Sequence, residues 1–341
     1  VLVRLDGESA FSDLSSDRLN GFRITNYDPR IMKKHHNGSR HEYLVAKEVL
    51  EADVIINMPK PKTHRIAGVT IALKNMIGIN TSKEYLPHHT IGSNEEGGDA
   101  YRNKDIYLDR ADKIIDLKNE LINEGEHEIA KKADELSVML MERNARGNFR
   151  FGCWYGNDTL WRTISDLNYI IRYADKKGNL CDSIQRKMFI VGDMIISGEK
   201  EGPLTPSPIT AGTIAMGEDP LDFDKTICSL MGFNYEKIPS ITMKGDEKLI
   251  RRISESDDID IVSNCNNWNR KNLEELREKH AICFAPSEGW RELLGDYRWN
   301  LIIESIMQRG GVAYVFGAGA IGKNLYKRLK NDNIDRKSTR L

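Results

Sequence analysis

The sequence predicts an α/β fold, an open mixed or parallel sheet flanked by helices, on three observations. Short apolar runs at residues 54–58 and 188–191 have strand length and stop at Pro or at Gly-Asp. Segments such as residues 154–173 space their apolar residues at three and four, the helical period. The chain of 341 residues exceeds the ~150 of a typical domain, so about two domains are expected.

Along the chain, residues 42–52 have helical apolar spacing at Leu44, Val45, Val49 and Ala52, and the run 54–58 follows as a buried strand. Pro59 and Pro61 cannot donate to a ladder, so residues 60–64 are placed beyond the carboxyl end of that strand, where open α/β sheets bind ligands. A second apolar run, 69–73, leads into Lys74-Asn75 and the turn at Gly78. Residues 102–146 are charge-rich with helical spacing, and Gly125 divides them; they are expected to form a helical insertion, more simply a solvated hairpin than a lid. The run 188–191 is expected to end as a short strand at Gly192-Asp193, with a turn-rich loop over 198–208. Asp219-Pro220 opens a helix closed by Gly232, with Asp219 and Asp222 as its caps. A domain boundary is placed at 243/244, so that residues 1–243 form one α/β domain whose N-terminal part is expected to be missing. Residues 244–334 then begin a second, truncated Rossmann-like domain, and 335–341 are treated as a truncation or sequencing scar. Residues 312–329 carry the pattern strand, Gly317-x-Gly319-x-x-Gly322, helix, whose glycines suit a nucleotide phosphate at a helix N-terminus.

Composition narrows the function. With 50 basic and 51 acidic side chains the net charge is −1, which gives no whole-chain field for nucleic acid or an anionic membrane. No run approaches the ~18 apolar residues of a membrane span. The five cysteines are scattered without a C-x-x-C pair, so no self-contained iron–sulfur cluster is expected, and a cytoplasmic location is the default.

Residues 53–78 (DVIINMPKPKTHRIAGVTIALKNMIG) hold the densest chemistry. If the chain stays extended, Lys60, Lys62 and His64 share one side and would converge on a carboxylate or phosphate. Lys60, Lys62 and Asn75 are therefore the candidate substrate-binding residues. His64 is a candidate acid or base; a desolvated Lys74 would be a base or an imine-forming amine. Asp193 is the third catalytic candidate, with Glu199 and Glu201 as ligands for a divalent metal. Of the adjacent His88 and His89, one at most is expected to face a site.

The stretches ADVIINMPKPKTH and IALKNMIG, with VGDMIISGEKEGP and DPLDFDKTICSLMGF, resemble the domain-of-unknown-function family numbered 362 over about residues 40–240. Members of that family are often joined to cluster-binding ferredoxin-like segments. The family is also distantly similar to the catalytic domain of nickel-pincer lactate racemases, in which histidines and a lysine handle protons and hold the cofactor; His64 and Lys74 are the nearest counterparts. The C-terminal glycine-rich unit resembles nucleotide-binding units of surface-polysaccharide assembly enzymes. The expectation is an enzyme acting on a small anionic metabolite, a carboxylate or phosphate in a sugar-linked context, by acid/base chemistry with metal assistance. The alternatives are a nucleotide or sugar-phosphate binding module and an iron–sulfur-associated redox partner.

Overall fold

A computed structural model describes residues 1–143, 148–256 and 258–295. In chain order the strands are β1 (Leu2–Arg4), β2 (Phe22–Arg23), β3 (His36–Asn37), β4 (Arg40–Leu44), β5 (Val54–Asn57), β6 (Lys62–His64), β7 (Gly68–Thr70), β8 (His89–Thr90), β9 (Lys187–Glu199) and β10 (Ser207–Gly217). The fold is α/β, and its central sheet runs β10-β9-β6-β7, with β5 also paired to β9. β9 lies parallel to β5 and β6 and antiparallel to β10, so the sheet is mixed. β1-β4-β3 and β2-β8 form two smaller sheets.

Several elements differ from the sequence expectation. Residues 42–52 do not form one helix: β4 pairs with β1 in an antiparallel ladder, and the helix is only Lys47–Glu51. Tyr43, buried on β4, donates to Asp166 at 2.8 Å, which ties that strand to the core. The run 54–58 begins as a strand but is not buried. Val54, Ile56 and Met58 alternate outward, and Ile56 is 64% exposed, because no described element covers that face of β5. The short strand expected at 188–191 continues to Glu199, with Asp193 in mid-strand opposite Ile214. Only residues 200–206 remain as the hairpin tip.

Other elements match. Ile106–Glu124 and His127–Glu142 are two helices separated at Gly125, whose φ of 85° ends the first in a left-handed cap. Asp219 caps the helix Pro220–Leu230 by accepting from Leu221 and Asp222 N–H. That helix and Leu160–Tyr173 cover the inner face of the sheet, where Ile71, Leu73, Ile164, Ile190, Met194 and Ile227 pack together. Apolar burial of this kind contributes ~25 cal/mol per Å². Leu160–Tyr173 also packs against β1 and β4 through Leu167, Ile170 and Ile171, which explains why the helix is apolar around most of its girth.

Leu249, Ile253, Leu276, Phe284 and Trp290 belong to the same core, within a compact unit that runs from Val1 to Gly295. Gly317, Gly319 and Gly322, with the strand-turn-helix expected around them, lie outside the described residues. Among the described residues no helix is long and apolar enough to cross a membrane.

Candidate functional site

β6 places two functional side chains on one face by simple alternation. Lys62 and His64 are two apart, and the antiparallel register sets Lys62 opposite Thr70 and His64 opposite Gly68. The β6–β7 turn is closed by His64 itself. Its Nδ1 accepts from Ile66 and Ala67 N–H at 3.1 Å each, so the neutral ring carries its proton on Nε2. Gly68 completes the turn at φ 80°, where a Cβ would stand 3.0 Å from Trp290 and Ile238.

After β7 the chain enters a one-turn helix, Ala72–Asn75, which carries Lys74. So short a helix is not stable alone and is held by buried polar side chains. The Asp224 carboxylate accepts from Ala72 N–H at 2.7 Å and from Leu73 N–H. Asn57 Nδ2 donates to the Ala72 carbonyl and Asn168 Nδ2 to the Leu73 carbonyl. Asn75 Nδ2 donates to Asn57 Oδ1 at 2.8 Å, so part of its bonding capacity, expected to serve substrate, locks the helix instead.

The hairpin tip packs against β6 from the other strand. Thr63 donates to the Lys200 carbonyl, and Arg65 N–H to the Gly202 carbonyl at 2.9 Å. A Cβ on Gly202 would stand 2.0 Å from the Thr63 carbonyl oxygen, so this approach requires glycine. Residues 285–290 lie over the tip: Glu199 accepts from Ala285 N–H, Glu201 from Glu288 N–H, and Trp290 Nε1 donates to the Arg65 carbonyl.

Electrostatics gather Lys62, His64, Arg65, Lys74 and His88. Burial, then the Lys62 charge, lowers the Lys74 ammonium to about 8. Burial, then Lys60, lowers Lys62. His64 is held well below its usual range by burial, then Lys74, His88, Arg65 and Lys62. Burial, then Lys74, takes His88 down to about 4. His88 Nδ1 donates to the Leu86 carbonyl at 2.8 Å, leaving the Nε2 lone pair free to accept. The two neutral imidazoles thus present opposite functions at Nε2, a donor on His64 and an acceptor on His88. Lys62, Arg65 and Lys74 form no side-chain hydrogen bond or ion pair among the described residues, and Arg65 Nε and Thr70 Oγ1 are buried without partners. Lys74 keeps part of its surface accessible.

Other candidates stand apart. Lys60 is paired with Asp193 at 2.7 Å, both about half exposed. Asp193 lies five residues before Gly198, the register partner of Lys62, or about 16 Å along β9. It is therefore not joined to His64. Glu199 and Glu201 hold backbone N–H groups as described, and among the described residues no three His, Cys, Asp or Glu are grouped to share a metal ion. The donor set does not fit a metal here. His89 is buried beside Phe151, away from the cluster. A cleft of about 580 Å³ between β10, the helix Pro220–Leu230 and residues 258–263 shares no lining residue with it.

The comparison with protein families decides the relationship: a domain of unknown function, DUF362, matches residues 9–229. The chain belongs to the DUF362 family. No curated protein and no solved structure matches it. The match spans β6, the Lys74 helix, His88 and Asp224, so every member of the cluster lies in the DUF362 portion. Sequence reasoning did not single out Arg65, Thr70 or Asn57. Arg65 was legible as the third cation in a run of seven residues; nothing local to Asp224 or Asn57 showed that they meet at residue 72.

Proposed function

We propose that this DUF362 chain is an enzyme acting on a small anionic metabolite by acid/base chemistry. Lys62, Arg65 and Lys74 hold the anion, with His64 and His88 moving or sharing protons. The observation that carries this reading is the convergence of three cations that have no ion pair among the described residues, around two histidines kept neutral. Unpaired buried charge is costly, and an anionic ligand supplies the missing counter-charge. No step is assigned to a metal. The glycine-rich turn at Gly317, Gly319 and Gly322 is assigned to a nucleotide phosphate on its sequence pattern alone; the sugar-linked context rests on the same resemblance. The scattered cysteines support a cytoplasmic location.

The test separates the two nitrogens of His64. His64→Asn keeps an acceptor at the δ position for Ile66 and Ala67 N–H and removes the Nε2 donor. His64→Gln does the reverse. The Asn variant is expected to unfold in urea near the wild-type midpoint, and the Gln variant to lose about 1–3 kcal/mol. Hydrogen exchange from D₂O into carbon acids such as lactate, malate and sugar-acid phosphates, followed by NMR, should fall at least ~100-fold in the Asn variant. Sulfate-induced thermal stabilisation without any exchange or turnover would instead make the site a binding module.

A further inference from the structure

One cation of the proposed anion site, Lys74, is also a nucleophile in its unprotonated form. Lys74 sits on a helix pinned from three sides by Asp224, Asn57 and Asn168; the residue is half-buried and its ammonium is unpaired among the described residues. Lys60, by contrast, is paired with Asp193. The Lys74 charge acts on both His64 and His88, whose backbone hydrogen bonds leave His88 Nε2 a proton acceptor and His64 Nε2 a hydrogen-bond donor. Lys62 and Arg65 supply cations separate from the amine, and the buried, unpartnered Thr70 hydroxyl lies on the Lys62 face.

We infer that Lys74 forms an imine with a 2-oxo acid, whose carboxylate is held by Lys62 and Arg65. The inference rests on the anion-site reading and names its substrate class. The Nζ lone pair forms the C–N bond as the carbonyl π pair moves to oxygen, which accepts a hydrogen bond from His64 Nε2–H. His88 Nε2 takes one Nζ proton and passes it to that oxygen. The nitrogen lone pair then forms the C=N bond as the C–O bond breaks, and the second Nζ proton passes through His88 to the departing hydroxyl, which leaves as water. Amine plus carbonyl therefore gives imine plus water, with no change in oxidation state. With its ammonium near 8, Lys74 is ~10% free amine at pH 7, against less than ~0.1% for an ordinary lysine.

The experiment is reductive trapping of the full chain with pyruvate or glyoxylate and cyanoborohydride, followed by peptide mass spectrometry. The expected result is one reduced adduct on the peptide carrying Lys74, formed at least ~10-fold faster than on Lys60 and suppressed by sulfate. Lys74→Arg should abolish it, and His88→Gln should slow its formation while sulfate still stabilises the protein. An adduct on Lys62, or labelling of Lys74 no faster than Lys60, overturns the imine. If sulfate still raises the melting temperature in that case, and Lys62→Ala removes the effect, the anion site stands without it. Absence of both responses removes both readings.

Discussion

Asp224→Ala is expected to lower the unfolding free energy by about 2–4 kcal/mol, because it strands two buried N–H groups and leaves a void. The loss falls on the helix that presents Lys74, so sulfate stabilisation should disappear with it. Asp224→Asn keeps a carbonyl acceptor and tests whether charge is needed. Burial raises the Asp224 carboxyl well above its usual range, so the native state takes up a proton that the unfolded chain has released. For an acid shifted upward, the wild type loses stability as pH rises from the unfolded value near 4 toward the folded one, and the Asn variant does not. Urea midpoints of the two proteins should therefore converge or cross as pH rises. A gap independent of pH would show that the carboxyl is ionised in the fold.

The second large effect is expected at Lys74. Lys74→Met should weaken sulfate binding by at least ~30-fold, the low end of the ~2–5 kcal/mol lost on removing one member of a desolvated charge pair. Wild-type affinity should fall about tenfold per pH unit above 8, where the ammonium deprotonates, whereas Lys74→Arg should hold its affinity through pH 10. Stability moves the opposite way. A base with a lowered folded value destabilises the native state while it stays charged, so Lys74→Met should be more stable than wild type at pH 7 and should lose that advantage between pH 8 and 10.5. Titration calorimetry with sulfate and urea unfolding at three pH values check both halves. A flat affinity profile in the wild type would assign the anion to Lys62 and Arg65 alone.

The parts of the site legible in the sequence are those set by local rules. Alternation along β6 put Lys62 and His64 on one side, and the desolvation of Lys74 followed from its place after an apolar run. Misplaced residues depended on tertiary pairing. Lys60 shares the same alternation, but the two prolines break the ladder and leave it beside Asp193. Asp193 was placed at a strand end because Gly192 precedes it, yet the long β9–β10 ladder runs through both residues, with Gly192 opposite Ala215 and Asp193 opposite Ile214. The helix expected over residues 42–52 gave way to a strand because β1 offers an edge to pair with, which no window around Leu44 reveals.

The union of β6 with the β9–β10 hairpin sets the order in which the cluster can assemble during folding. Lys62 meets Gly198, Thr63 meets Lys200 and Ala72 meets Asp224, all contacts between residues more than a hundred positions apart. Such closures are entropically late, and folds rich in them are slow. Lys62, His64 and Lys74 are synthesised early, yet they become an anion site only after the chain has been made past residue 224 and β9 has docked. Ligand stabilisation should thus act on the unfolding rate more than on the folding rate, protecting finished molecules without hastening those still on the way.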